Sequence, residues 1–429
     1  MTMKPLLIYN LFPRLSGFFH LWREHIIRAK KMGFNAIYIN PIQYPGFSGS
    51  CYSIKDYYRI DDLRYVDKSR KKNAEEQFRE IIDFIHENDM KLIMDLVINH
   101  TAIDSSLIHE HKNWYKLKSD GKIENPKAME GDRVVAVWGD LAEIDNENSE
   151  DKKALWQYWK DLVSYYVSFD IDGFRCDAAY QVPTDLWKEL IQYTKKMNRH
   201  FIWIAETLGC PFNDVLQLSD AGFDYVFNSS KYWDFTADWC LEQYEKISSK
   251  ALSISFPESH DTVRLMDELG GNLEGVKQRY LFAAFFSSAI LMPIGFEFGF
   301  SQKLDVVQTS PFSWEETEID LTDFITKANK LKFDYQIFQN ESPITKIHSN
   351  NEQVLILQKQ WTKSREIALL ILNKDIENYQ YVLVESFDNI FKKNKKIKDI
   401  SPEYARPEVP VPFDYHLRPG QVILLYQKY

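Results

Sequence analysis

Short apolar runs recur along the chain as "LLIYN" (6–10), "NAIYIN" (35–40), "KLIMDLVIN" (91–99), "IDGFRCD" (171–177), "FIWIAET" (201–207), "FDYVFN" (223–228), "ALSISF" (251–256) and "SAILMPIGFE" (288–297). Several are rich in β-branched residues, and most are separated by stretches with helical spacing of apolar positions. The clearest is "NAEEQFREIIDFIHEND", which places Phe78, Ile81, Ile82 and Ile85 on one stripe and leaves the opposite face polar. Eight strands alternating with helices predict a (β/α)8 barrel. After about residue 335 the pattern changes to strand-like alternation in "QVLILQKQW", "EIALLILN" and "LRPGQVILLYQ", which predicts a small antiparallel β domain. The expected division is 1–98 for the first part of the barrel, 99–150 for a subdomain inserted after the third strand, 151–334 for the rest of the barrel and 335–429 for the C-terminal domain. The insertion follows from the 82 residues between Asp95 and Asp177, too many for one βα unit. The "KKNKKIK" run at 392–398 reads as a solvated loop.

Composition narrows the class. An apolar share of 45% over 429 residues is enough for a large core, and a net charge of −10 argues against nucleic acid or an anionic membrane as partner. The start shows no long apolar segment and no cleavage site of small residues, so no export signal is read. The four cysteines (Cys51, Cys176, Cys210, Cys240) have no Cys-x-x-Cys spacing, and Cys176 falls in a core strand. That pattern predicts a reduced, cytoplasmic protein without a disulfide framework or zinc site; no organic cofactor is expected. Aromatic residues at 15% suit either sugar-stacking surfaces or a large aromatic core.

The candidate chemistry starts from Arg175 and Asp177. In a strand over 171–179, period-two alternation aims both at one side and Phe174 and Cys176 at the other. Alone, Arg-x-Asp reads as a structural ion pair, because buried charges need partners. Glu206 follows Asp177 by 29 residues, one βα unit, and Asp261 follows Glu206 by 55, two units. Three carboxylates thus converge on the end of the barrel where such folds keep their active sites. Gathering like charges is unfavourable unless chemistry or a cation requires it. Neighbouring strands lie about 4.8 Å apart, which suits the roughly 5 to 5.5 Å carboxylate separation of a retaining glycosidase. Arg175 would hold Asp177 ionised, as a nucleophile needs.

The ordered set "YNLFPRLSG" (9–17), "DLVINH" (95–100), "LAEIDNEN" (141–148), "GFRCDAA" (173–179), "AET" (205–207) and "SHD" (259–261) resembles the α-amylase family, glycoside hydrolase family thirteen, over about the first 330 residues. The resemblance implies Asp177 as nucleophile, Glu206 as general acid/base and Asp261 as the carboxylate gripping sugar hydroxyls. It further implies that His100 and His260 hydrogen-bond the same sugar and that Tyr52 in "SGSCYSIKDYY" stacks beneath it. Asp95 is expected to be supportive, fixing neighbouring loops. Asn99 and Asp145 fall where many members bind a structural calcium, an ion suited to oxygen ligands. Ser259, where asparagine is common, and Tyr180-Gln181, where starch hydrolases often have Lys-His, leave preference for starch open. The implied function is retaining hydrolysis of α-1,4-glucosidic bonds in malto-oligosaccharides or glycogen-type glucans. The alternatives are transfer of the glycosyl group to a sugar or phosphate acceptor, and a silent glycan-binding relative. Tyr180, Gln181, Thr207 and Leu208 are the nearest candidates for an acceptor platform, of which only Tyr180 offers a stacking face.

Overall fold

All eight apolar runs form the strands of one closed barrel. In the computed structural model, which describes residues 5–130 and 133–429, these are β1 (Leu7–Leu11), β2 (Ala36–Ile39), β3 (Lys91–Leu96), β4 (Gly173–Cys176), β5 (Ile202–Ala205), β6 (Tyr225–Phe227), β7 (Leu252–Ser255) and β8 (Ala289–Pro293). Each pairs in parallel with its sequence neighbours, and β8 closes on β1 through Leu7 opposite Ile290. Both faces of every strand are therefore covered, which is why the runs read as continuous apolar stretches.

Alternation sorts the side chains into two layers. Ile8, Ala36, Tyr38, Ile93, Ile204, Tyr225, Ile254 and Leu291 fill the barrel interior, whereas Tyr9, Ile37, Met94, Phe174, Cys176 and Trp203 face the helices. The helix Ala74–Glu87 begins at a capping box, in which Asn73 accepts from the Glu76 N–H and Glu76 accepts from the Asn73 N–H. Phe78, Ile81, Ile82 and Ile85 are all buried against the barrel, as their stripe requires. Each such side chain contributes roughly 1.5–3 kcal/mol on burial.

The chain leaves the barrel between β3 and β4. There, strand His100–Ala102 pairs antiparallel with Leu141–Glu143, and a hairpin of Lys127–Glu130 and Arg133–Val137 projects from the excursion. The C-terminal part holds β9 (Ile344–Ile347), β10 (Val354–Trp361), β11 (Glu366–Asn373), β12 (Gln380–Val384), β13 (Lys398–Asp399), β14 (Phe413–Leu417) and β15 (Val422–Lys428). They form one antiparallel sheet in the order β9-β10-β11-β15-β13 and a separate β12-β14 pair. Of the "KKNKKIK" run, residues 392–396 are exposed and Lys398 starts the short β13.

Strand β4 is shorter than the expected 171–179. It stops at Cys176, and Ala178 takes a left-handed conformation (φ 40°, ψ 49°), a strained choice for a residue with a Cβ. That turn leaves Asp177 just past the end of the strand and aims the Ala178 N–H at Glu206, which follows β5. No helix among the described residues is long and apolar enough to cross a membrane.

Candidate active site

The C-terminal ends of the strands open into a cleft of about 840 Å3 lined by Tyr52, Asn99, His100, Arg175, Asp177, Tyr180, Gln181, Glu206 and Asp261 among others. Arg175 lies on its floor. Its partner across the ladder is Asp95 of β3, and its Nη1 donates to Asp95 Oδ1 (2.9 Å) and Oδ2 (3.1 Å) and to Asp177 Oδ1 (2.7 Å). Its Nη2 lies 3.8 Å from Glu206 Oε2. The guanidinium thus touches three carboxylates at the ends of three adjacent strands.

Asp95 does more than fix loops. Its Oδ2 also accepts from the hydroxyls of Tyr38 (2.6 Å) and Tyr52 (2.7 Å), so both oxygens of the buried Asp95 carboxylate are hydrogen-bonded. Arg175 therefore serves two carboxylates with separate roles. Arg175–Asp95 is the structural ion pair, and Asp177 attaches to it at the solvent side. Side-chain exposure separates the roles: Asp95 is 0% exposed, Asp177 15%, Glu206 10% and Asp261 53%.

Glu206 sits in a different environment from Asp177. Its Oε2 accepts from the Ala178 N–H (2.9 Å) and its Oε1 from the Leu208 N–H (2.5 Å), so the turn after β4 and the turn after β5 both aim it. Burial pushes its pKa from 4.5 up to about 7; Arg175 pulls it down, and the negative charge of Asp177 adds to the rise. Burial also raises Asp177, but Arg175 at 2.7 Å opposes it directly, an attraction that Glu206 feels only at 3.8 Å. Asp177 is the group held as carboxylate, and Glu206 the group poised to carry a proton near neutral pH.

The remaining expected residues gather around this pair. His260 Nε2 lies 2.7 Å from the Tyr52 hydroxyl and 3.1 Å from Asp261 Oδ2, and the Tyr52 and His260 rings stack at 5.7 Å between centroids with 5° between planes. His100 Nε2 meets the Tyr52 carbonyl at 3.1 Å, which requires the ring to donate there, and burial lowers its pKa to about 4. Burial lowers His260 as well, so both rings are neutral hydrogen-bonding groups. His100 Nδ1 is buried without a hydrogen-bond partner.

One acceptor-side candidate needs revision. Thr207 is buried, and its hydroxyl donates to the Phe227 carbonyl (2.6 Å), away from the cleft. Tyr180, Gln181 and Leu208 all line the cleft, and Gln181 Oε1 accepts from Asn99 Nδ2 (3.0 Å), which ties it to the inserted segment. The structure adds residues that spacing did not reveal: Trp138 from the insertion, and Lys231, Tyr232 and Glu268 from the loops after β6 and β7. Tyr38, and Asn40 whose amide donates to the Tyr52 hydroxyl (2.9 Å), could have been found, because alternation in "NAIYIN" puts both on the interior face.

The expected metal ligands are a partial fit. Asn99 Oδ1 is buried with no partner, a lone oxygen that suits a cation or water, and the Asn99 carbonyl accepts from the Ile144 N–H beside Asp145. The Asp145 carboxylate, however, accepts from the Asn148 N–H (2.9 Å) in a local turn. No group of three or more His, Cys, Asp or Glu side chains among the described residues is placed to hold a metal ion.

Fold and site together define a class: (β/α)8 barrels that carry a carboxylate cluster at the strand C-termini, an excursion after the third strand and a C-terminal antiparallel β domain. Comparison with known proteins narrows it. The family described as glycogen debranching enzyme, glucanotransferase domain, matches residues 1–117. A maltogenic α-amylase of Bacillus acidopullulyticus is 25% identical over 398 residues, covering 85% of this chain and 64% of the relative. An α-1,4-glucan:maltose-1-phosphate maltosyltransferase of Burkholderia pseudomallei is 22% identical, covering 88% of this chain and 34% of the relative. The chain therefore spans less than two thirds of the length of either. Among solved structures, a maltogenic α-amylase from Thermotoga neapolitana superposes with a TM-score of 0.79 at 25% identity, with both chains covered completely. Over most of its length the chain is thus similar to α-amylase-type enzymes, in sequence and in fold.

Proposed function

We propose that the protein is a retaining glycosidase acting on α-1,4-linked glucans of the malto-oligosaccharide or glycogen type. The observation that carries this reading is the unequal pair at the end of β4 and β5: Asp177 bound to Arg175 at 2.7 Å, and Glu206 raised to about 7. Asp177 Oδ attacks the anomeric carbon while the bond to the leaving oxygen breaks and Glu206 gives that oxygen its proton. Glu206, now a carboxylate, takes a proton from water as the water oxygen attacks the same carbon and the bond to Asp177 breaks. Two inversions return the α-anomer. Asp261, half exposed beside His260, is free to hold hydroxyls of the same ring. The named relatives supply the α-glucan substrate class.

Transfer is the second reading, favoured by the aromatic surface of the cleft. Trp138 (42% exposed) and Tyr232 (56%) join Tyr180, so stacking faces for an acceptor are more numerous than the sequence indicated. Retention of all three carboxylates in one cleft argues against a silent glycan binder. Incubation with maltotetraose, following reducing ends and anomeric configuration over time, tests the assignment. Reducing ends should rise with α-product first. Flat reducing ends with longer and shorter chains would replace hydrolysis with transfer, and first appearance of β-product would overturn the retaining mechanism.

A further inference from the structure

The two sides of the cleft are built differently. Toward β5, β6 and β7 its lining includes Trp138, Tyr232 and Val263, all of them well exposed. Toward β1 it comes from Ser50 and Val306, of the loops after β2 and β8, and Ser50 is 8% exposed. Those two loops are joined, because the Cys51 N–H donates to the Val306 carbonyl (3.1 Å). Arg14, on the short helix Pro13–Ser16 that follows β1, bridges them a second time. Its Nη1 donates to the Val307 carbonyl (2.8 Å) and its Nη2 to the Gly49 carbonyl, and the residue is 3% exposed. A guanidinium suits this place, since its donors form a rigid fork that holds two carbonyls at once. Burying its charge would be costly without them. Gly49 sits at a φ of 76°, in the left-handed region open to glycine. The same loop is anchored on its other flank, where the Phe47 N–H donates to Asp104 Oδ1 (3.3 Å) and Lys55 pairs with Asp104 Oδ2 (2.8 Å). The rim is thus tied from the inserted segment through the loop after β2 to the loop after β8.

Topology gives this rim a role. β1 lies between β2 and β8 and is four strands from β5 in either direction round the barrel. Glu206 protonates the leaving oxygen, so the departing part of a glucan lies on the β5 side. The part held on Asp177 contains the non-reducing end, and it extends the opposite way, past Tyr52 toward β1. We propose that the joined loops, positioned by Arg14, form a wall that stops the non-reducing end of the glucan, so that the protein cuts from that end and not within a long chain. The inference rests on the glycosidase reading and deepens it by naming the chain terminus as what the site recognises. An internal segment would have to pass between Ser50 and Val306, where the hydrogen bond from Cys51 closes the way. Specificity of this kind comes from what the site refuses as much as from what it holds.

The test compares an aryl maltoheptaoside blocked by a 4,6-O-ethylidene group on its non-reducing sugar with the same compound unblocked, the products being separated by chromatography. The unblocked chain should be turned over about a hundredfold faster or more, the loss expected when the reacting carbon is displaced by about 1 Å. Its first products should be one short sugar from the non-reducing end and the complementary aryl oligosaccharide. Rates within about twofold of each other overturn the proposal and leave the glycosidase reading standing, whereas no turnover of the unblocked chain overturns both. Arg14→Lys keeps the charge but lacks the fork. It should raise the blocked-to-unblocked rate ratio about tenfold, equal to about 1.4 kcal/mol, and a general loss of folded protein does not change that ratio. A folded Arg14→Lys whose ratio stays within about twofold of the wild type overturns the role of Arg14. Gly49→Ala, strained at the other end of the bridge, should move the ratio in the same direction, and an unchanged ratio there counts equally against the wall.

Discussion

Glu206→Gln removes a proton donor whose acidity the fold has shifted from 4.5 to about 7. At pH 7 an ordinary glutamate would be protonated in roughly one molecule in 300, and a group at about 7 in about half, so the shift multiplies the reactive form roughly 150-fold. The same shift acts on stability. Between pH 4.5 and 7 the folded state binds more protons than the unfolded state, so stability falls as pH rises through that window. The shift from 4.5 to about 7 amounts to about 3 kcal/mol of stability, fully present below pH 4.5 and lost above pH 7. Glutamine cannot ionise and escapes that loss. However, both Glu206 oxygens accept backbone N–H groups, from Ala178 and Leu208, and the amide can satisfy only one. That returns about 1–2 kcal/mol. The variant should therefore be about 1–2 kcal/mol more stable than the wild type at pH 8 and less stable than it at pH 4, read from urea midpoints at each pH. In kinetics, malto-oligosaccharide turnover should fall roughly 10^2–10^4-fold, and turnover of aryl glycosides with good leaving groups far less. The alkaline limb of kcat/KM near pH 7 should vanish on the aryl substrate. Equal losses on both substrates, or a limb that persists at 7, would refute the acid/base role, and a stability difference that does not change with pH would refute the raised acidity.

Other outcomes follow from the same geometry. Asp177→Ala should lower turnover by roughly 10^4 or more while the melting temperature changes by only a few degrees, because Arg175 keeps both oxygens of Asp95; partly retained activity would remove Asp177 as nucleophile. Asp95→Ala, by contrast, leaves Arg175, Tyr38 and Tyr52 without their shared acceptor and should destabilise by about 3–5 kcal/mol in denaturant titrations. Lys359 is fully buried against the Phe285 and Phe286 carbonyls, and burial lowers it from 10.5 to about 8. Its charged form is penalised in full below pH 8 and relieved as pH rises from 8 to 10.5, so the wild type should gain up to about 3 kcal/mol relative to Lys359→Met across that window, and parallel pH curves would count against it. If calcium takes the unpaired Asn99 Oδ1, chelation should lower the melting temperature of the wild type and leave Asn99→Ala unmoved; no shift in the wild type assigns that oxygen to water.

Period and spacing alone determined the barrel, since a strand buried on both faces must be apolar throughout and the eight runs show that property locally. Spacing also put Asp177, Glu206 and Asp261 at one mouth, because a βα unit has a nearly fixed length and strand ends have one direction. Tertiary structure decided what no local pattern encodes. It assigned the ion pair of Arg175 to Asp95, which lies 80 residues away in sequence but directly across the β3–β4 ladder. It ended β4 at Cys176 through the left-handed turn at Ala178, so that a backbone N–H could hold Glu206. It turned Thr207 away from the cleft and brought in Trp138 and Tyr232, whose neighbours in sequence give no periodic signal. The difference is physical: burial of a strand is written in its own residues, whereas the acidity of a carboxylate depends on charges and backbone groups delivered by other strands.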